Sequence, residues 1–137
     1  MAFGLSRFGR RGAGKAKARY VKGVMNANEA RYAALLTEQG LTFAFESITL
    51  SLAPRTTLTC DFAVVTEDGY FELHEVKGGK KNGKYHVEPD AWLKLKMAAA
   101  KFPWIKIVVV WWHKDTGWKQ QEVGSYGADD DTTDTEE

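Results

Sequence analysis

Residues 57–79, TLTCDFAVVTEDGYFELHEVKGG, decide the reading of this chain. Thr57–Thr66 and Tyr70–Lys77 read as two strands joined at Glu67-Asp68-Gly69, because Asp-Gly between apolar runs is a strong hairpin signal. The first strand carries Asp61; the second carries Glu75 and Lys77. Strand residues two apart share a face, so Glu75 and Lys77 point the same way as Phe71 and Leu73. A carboxylate and an ammonium at one end of an apolar face are costly unless they are paired or hold an ion.

Upstream, Leu41–Leu52 is one long strand or two. Leu41, Phe43 and Phe45 alternate, and Ile48, Leu50 and Leu52 alternate in the opposite parity, which predicts a bulge or bend near Glu46–Ser47. Pro54-Arg55 makes the connection to the hairpin, and such a link can also bridge strands exchanged between protomers. Before it, Asn26–Gln39 has helical spacing, with Tyr32, Ala33, Leu35 and Leu36 as its apolar stripe and Gly40 as its stop. Glu29 has two readings here. It stands three residues after Asn26, as in a capping box, and it shares a helix row with Ala33 and Leu36 that would turn it toward the sheet.

Downstream, GGKKNGKYHV (78–87) is a Gly- and Lys-rich loop with Lys80, Lys81 and Lys84, either a mobile basic lip or a solvated turn. Pro89 opens a helix whose predicted buried stripe is Trp92, Leu95, Ala99 and Phe102, with Lys94, Lys96 and Lys101 off it. Pro103 stops that helix. Trp104–Trp112 reads as a strand buried on both faces through IKIVVVWW, and Trp118–Val123 as a last short strand. The order α-β-β-β-α-β-β predicts an α/β (α+β) domain, a mixed β-sheet flanked by helices.

At 137 residues, 44% of them hydrophobic and 27% charged, the chain has room for one domain with a real core. The net charge of +1 hides a polarity. Residues 1–22 carry Arg7, Arg10, Arg11, Lys15, Lys17, Arg19 and Lys22 and no acid; residues 124–137 carry Asp129, Asp130, Asp131, Asp134, Glu136 and Glu137 and no base. Such segments bury too little apolar surface to order alone. The expected organisation is a flexible basic arm (1–22), a folded domain (23–123) and a disordered acidic tail (124–137). A basic arm suits a polyanion, and block charge at a terminus also fits a merely solvated tail. The single cysteine, Cys60, excludes an intramolecular disulfide framework and fits a reducing cytoplasm. Ile107–Trp112 is too short to span a bilayer, so no membrane partner is expected.

Rival sites are weak. His74, His86 and His113 have neither metal-ligand nor triad spacing and read as surface or edge residues. The glycines of 78–83 lack the Lys-Ser/Thr ending of a phosphate-binding loop. Trp104, Trp111, Trp112 and Trp118 read first as core or edge packing, and Trp111 and Trp112 must face opposite ways. Asp61 and Glu75 on neighbouring strands offer hard oxygen ligands of the kind that suit Mg²⁺ or Mn²⁺ rather than zinc, with Lys77 beside them. The same three residues also read as a cross-strand salt-bridge cluster.

The element order with these residues resembles the PD-(D/E)XK nuclease superfamily. The pattern is Glu29 on a helix, Asp61-Phe62 on a strand, Glu75-Val76-Lys77-Gly78 on the next, and Leu93-Lys94-Leu95-Lys96 on the following helix. Within the superfamily it is similar to small phage nucleases with a Lys-Glu-Ala-x-x-Tyr-like helix, here Asn28-Glu29-Ala30-Arg31-Tyr32. It also resembles the phage endonuclease I type of Holliday-junction resolvase in element order and basic N-terminal arm. The likeness covers about residues 20–112, and Cys60 stands where the superfamily often has Pro before the Asp.

The resemblance implies a restriction-endonuclease-like fold and a Mg²⁺-dependent endodeoxyribonuclease, with Mn²⁺ as a substitute. Asp61, Glu75 and the Val76 carbonyl would bind the metal, Glu29 would add a carboxylate, and Lys77 would assist the attacking water. Arg7, Arg10, Arg11, Lys15, Lys17, Lys80, Lys81, Lys84, Lys94 and Lys96 are the expected DNA-binding residues. Branched DNA, a homodimer with strands exchanged around Leu50–Thr57, and the cytoplasm of a host cell if the chain is phage-encoded complete the expectation. Nicking, restriction-like or repair cleavage, and a non-catalytic DNA- or protein-binding module, are the alternatives.

Overall fold

A computed structural model describes residues 21–124 and 133–135. Helix α1 (Ala27–Glu38) is followed by β1 (Thr42–Phe45), β2 (Thr49–Ala53), β3 (Thr56–Thr59), β4 (Phe62–Val65), β5 (Phe71–Lys77), β6 (Tyr85–Val87), α2 (Pro89–Lys101), β7 (Lys106–His113), β8 (Gly117–Glu122) and β9 (Thr133–Thr135). The central sheet runs β1-β4-β5-β7-β8, antiparallel throughout except where β5 lies parallel to β7. The α+β architecture with a mixed sheet and flanking helices agrees with the sequence reading.

Local chemistry accounts for the boundaries. The side chain of Asn26 accepts the Glu29 N–H (2.8 Å) and the Glu29 carboxylate accepts the Asn26 N–H (2.9 Å), a complete capping box. Gly40 ends α1 at φ +73°. The parity switch after Phe45 is a true break: Glu46 takes φ +51°, and the chain leaves the central sheet to form the separate hairpin β2–β3. Arg55, at φ +63°, turns that hairpin.

The predicted strand Thr57–Thr66 is divided. Cys60 and Asp61 lie in no strand, so β3 belongs to the small hairpin and β4 to the central sheet. Alternation alone does not separate them, because the apolar parity runs on through the break. The Asp68-Gly69 turn forms as expected, with Gly69 at φ +88°.

Two apolar clusters fill the two faces of the sheet. On one, α1 packs Tyr32 and Leu36 against Phe62, Val64, Val76, Val108 and Val110. On the other, α2 and the β2–β3 hairpin bury Leu50, Leu52, Leu58 and Leu95 over Leu73, Ile107, Val109 and Trp111. Strand β7 therefore lies between helices on both sides, which is why its sequence is apolar without alternation. The α2 stripe is centred on Leu95 and Ala98, with Trp92, Ala99 and Phe102 partly buried beside them. Lys101 donates to the Ser51 carbonyl (3.0 Å), tying α2 to the hairpin.

The 78–87 loop is held rather than loose. The Lys80 N–H donates to Lys84 O, Gly83 O accepts from the Trp111 indole, and the ring of His113 meets Lys81 O. Its last residues form β6, which pairs in parallel with β9, residues the sequence reading assigned to the tail. The remaining expectations for the arm and tail fall outside the described residues. Among the described residues, no helix is long and apolar enough to cross a membrane.

Candidate active site

Strand β4 begins at Phe62, opposite His74, so the residue before it, Asp61, lies beside Glu75 at the end of the ladder. There the Asp61 carboxylate accepts the Val76 N–H (2.8 Å), and the Glu75 carboxylate accepts the Asp61 N–H (3.2 Å). Lys77 completes the group, its ammonium 3.4 Å from the other Glu75 oxygen. Asp61 is 8% exposed, and the side chains of Glu75 and Lys77 are 13% and 17% exposed. Registry places Glu75 and Lys77 level with Val109 and Trp111, on the α2 face of the sheet.

The electrostatics are unbalanced. Burial pushes the Asp61 carboxyl up to about 8; Glu75 and Glu29 add to the rise, and the Val76 N–H and Lys77 oppose it. Glu75 is also raised, by burial first, against the pull of Lys77. One ammonium does not neutralise two buried carboxylates in the field of a third, so near neutral pH the pair retains a proton. The buried Cys60 thiol is raised by burial and by both carboxylates, which leaves it an inert thiol.

Glu29 stands in the first turn of α1, and the start of that helix lies over the end of β5, where Asn28 approaches Gly78. It acts electrostatically on Asp61 and Glu75 while one of its oxygens is engaged in the cap. Among the described residues, no three His, Cys, Asp or Glu side chains are gathered as a metal cage. The donor set nevertheless fits a hard divalent cation: two buried carboxyls converge with a charge deficit that such an ion would fill.

The basic candidates occupy three places. Lys80, Lys81 and Lys84 lie in the loop beyond β5, where Gly79, Lys80, Lys81, Asn82 and His86 line an open hollow of about 460 Å³. Lys94 and Lys96 are on α2, with Lys96 over the Trp92 ring at 5.5 Å. Arg7, Arg10, Arg11, Lys15 and Lys17 lie outside the described residues.

His74 is not the surface residue expected from the sequence. It is 6% exposed on the α1 face, bonded to the Tyr32 hydroxyl (2.6 Å) and to Glu72 (2.9 Å), which also pairs with Lys106 (3.7 Å). Burial lowers its pKa, so the ring is neutral. The sequence also gives no sign that Arg31 rests 5.2 Å from the centre of the Trp112 ring, because only the docking of α1 on the sheet brings them together. Comparison with protein-family models, with curated proteins and with solved structures gives no match.

Proposed function

We propose that this chain is a divalent-metal-dependent endodeoxyribonuclease of the PD-(D/E)XK kind that cleaves branched DNA, Holliday junctions in particular, as a homodimer inside the cell. The observation that carries this reading is the convergence of Asp61 and Glu75, both buried, both raised in pKa chiefly by that burial and flanked by Lys77, at one end of the sheet. A purely structural ion-pair cluster would balance its charges; this one is short of positive charge.

Asp61, Glu75 and the Val76 carbonyl would hold the cation, Mg²⁺ or Mn²⁺, with Glu29 as a further carboxylate. When bound, the cation supplies Lewis acidity toward a phosphodiester and lowers the pKa of water. The Val76 N–H fixes the Asp61 carboxylate, so its orientation does not depend on a mobile rotamer. Lys77 places a positive charge beside Glu75, suited to orienting the attacking water and to stabilising charge that builds on the phosphate. The basic arm and Lys80, Lys81, Lys84, Lys94 and Lys96 would track the backbone, so affinity falls with salt. Two coordinated cuts across a junction call for two copies. Exchange of the β2–β3 hairpin would reproduce between protomers the leucine contacts it makes within one chain.

A second reading, a DNA-binding module on the same fold without turnover, draws on one observation: both Glu75 oxygens already have partners in Lys77 and the Asp61 amide. Incubating the protein with a synthetic four-way junction, a nicked substrate and a linear duplex in Mg²⁺ separates these readings. Metal-dependent cutting that disappears in E75A and D61N supports the nuclease. Absence of cutting on every DNA, or undiminished cutting by both variants, removes it.

A further inference from the structure

We propose that Trp112, with Arg31 and Trp118, forms a stacking platform for an unpaired nucleobase beside the candidate active site. The proposal rests on the nuclease reading for the identity of the strand, and it names what part of that strand the protein grips.

Three observations point to it. The first is exposure. Trp111 is 1% exposed and belongs to the core, whereas Trp112, on the opposite face, leaves 37% of its surface open at the end of β7. Large aromatic rings are among the most valuable groups to bury, so one held partly open at a strand end has area left to cover.

The second is rigidity. Trp118 packs edge-on against Trp112 with ring centres 5.8 Å apart, and Tyr32 packs on Trp118 at 4.9 Å, so the platform is braced from β8 and α1. The backbone beneath it is fixed as well: Gly79 comes so close to the Trp112 carbonyl that a Cβ there would collide with it. A ring held in this way loses little entropy when a base stacks on it.

The third is position and charge. Trp111 pairs with Lys77, and Trp112 is the next residue. With strands about 4.8 Å apart, its ring lies roughly 10 Å from Lys77, within about three nucleotides of stacked strand. The 78–87 loop lies against this end of β7, with Gly79 at the Trp112 carbonyl and Gly83 at the Trp111 indole, so a strand reaching both Lys77 and Trp112 would pass around that loop. Arg31, Lys77, Lys81, Lys114 and Lys119 gather there. The acids at that end are Asp61, Glu75 and Glu29 of the site, Glu46 beside Asp61 and Asp115 of the β7–β8 turn, against which Lys80 and Lys84 of the 78–87 loop add to the five cations; the β4–β5 turn at the other end carries Glu67 and Asp68. The cationic end is the one that suits a phosphate backbone. Arg31 over the ring matches the paired roles a nucleotide needs: a π-face for the base and a guanidinium for its phosphate.

An unpaired base is available in a flap or a single strand, and the open centre of a four-way junction leaves the faces of its paired bases unstacked; intact duplex offers neither. The platform therefore favours DNA with exposed bases. The test is fluorescence anisotropy with fluorescein-labelled single strand, four-way junction and fully paired duplex, in EDTA so that nothing is cut. W112L, which keeps apolar packing without a π-face, should weaken single-strand and junction binding about tenfold. It should leave duplex binding within about twofold, and W112F should retain most of the affinity.

Unchanged single-strand affinity in W112L, or an equal loss on duplex, overturns the platform. If circular dichroism shows that W112L does not fold, R31Q is compared with K114Q. Each removes one cation, and only R31Q should selectively weaken single-strand binding; equal effects overturn the proposal. Wild type that cuts DNA in Mg²⁺ while W112L binds normally removes the platform alone. Selective loss in W112L with no cutting by wild type removes the nuclease reading alone, and wild type that neither binds nor cuts removes both.

Discussion

Replacing Asp61 by Asn should make the metal-free protein more stable at pH 8 while abolishing cleavage. In the native chain the Asp61 carboxyl is buried against Glu75 and held up to about 8, against an ordinary 3.8. An acid whose folded pKa exceeds its unfolded one binds more protons folded than unfolded between those values, so stability falls as pH rises through that window. Treated as a rigid site, the displacement corresponds to on the order of 5 kcal/mol between acid and alkaline pH. Entry of water and shared protonation with Glu75 reduce this, and about 2–3 kcal/mol is the expected loss from pH 4 to pH 8. Asn keeps the shape and an oxygen to accept the Val76 N–H, but it cannot ionise.

The assay is urea unfolding of wild type and D61N at pH 4 to 8.5 in EDTA, plotted as the difference in unfolding free energy. The difference isolates Asp61 from His74, whose lowered pKa acts in the opposite sense: it costs stability as pH falls below the usual imidazole value near 6.5. D61N should gain on wild type steadily from pH 4 to pH 8. Added Mg²⁺ should close the gap at pH 8 by stabilising wild type alone, since a ligand that binds only the folded state stabilises it by mass action. A D61N protein less stable than wild type at pH 8 in EDTA would refute the charge argument. A flat difference across the range would do the same.

Other expectations separate structure from chemistry. Glu29→Gln keeps the capping box, for which Gln suffices, but removes the charge near Asp61; its midpoint should stay within about 0.5 kcal/mol of wild type, and a fall in cleavage would assign the carboxylate to the site. Glu29→Ala should cost about 1 kcal/mol through the lost cap, read by thermal melting. Tyr32→Phe leaves the buried His74 ring without its 2.6 Å partner and should cost about 1–3 kcal/mol, with kcat unchanged because the pair lies on the face away from Lys77. Gly79→Ala drives a methyl into the Trp112 carbonyl and should cost about 1–3 kcal/mol, lowering the melting temperature by several degrees.

The sequence is informative where one periodicity governs a segment and silent where tertiary contacts decide. Asn26 with Glu29, Gly40, Asp68-Gly69 and the unbroken apolar run of β7 each carry a local physical cause, and each appears where that cause predicts. The division of 57–66 into two strands of different sheets has no such cause. Leu58, Phe62 and Val64 are all buried, so the pattern does not show that the chain changes sheets at Cys60–Asp61. Glu75 and Lys77 read as charges out of place on an otherwise apolar strand face, while Glu29 read equally as a helix cap. The interior position of His74 was not readable, because it depends on Tyr32 arriving from a helix more than forty residues away. The pairing of β6 with β9 was hidden for a different reason: an acidic segment carries no apolar alternation to announce a strand.

The division at Cys60–Asp61 is also what creates the site. Had the strand run on, the Val76 N–H would meet a backbone carbonyl across the ladder. With β4 beginning only at Phe62, that donor falls to the Asp61 side chain, and the carboxylate is drawn into the end of the sheet beside Glu75. The same hydrogen bond thus finishes the sheet and fixes a candidate ligand. Alanine at position 61 would remove both functions, leaving a buried N–H unsatisfied at a cost of about 1–3 kcal/mol. Lost cleavage in D61A therefore speaks to folding as much as to chemistry, whereas D61N keeps the sheet intact and removes only the ability to carry charge. A D61N protein that melts no lower than wild type and cuts no DNA would tie the activity to the carboxylate itself; one that still cuts would reduce Asp61 to a sheet cap.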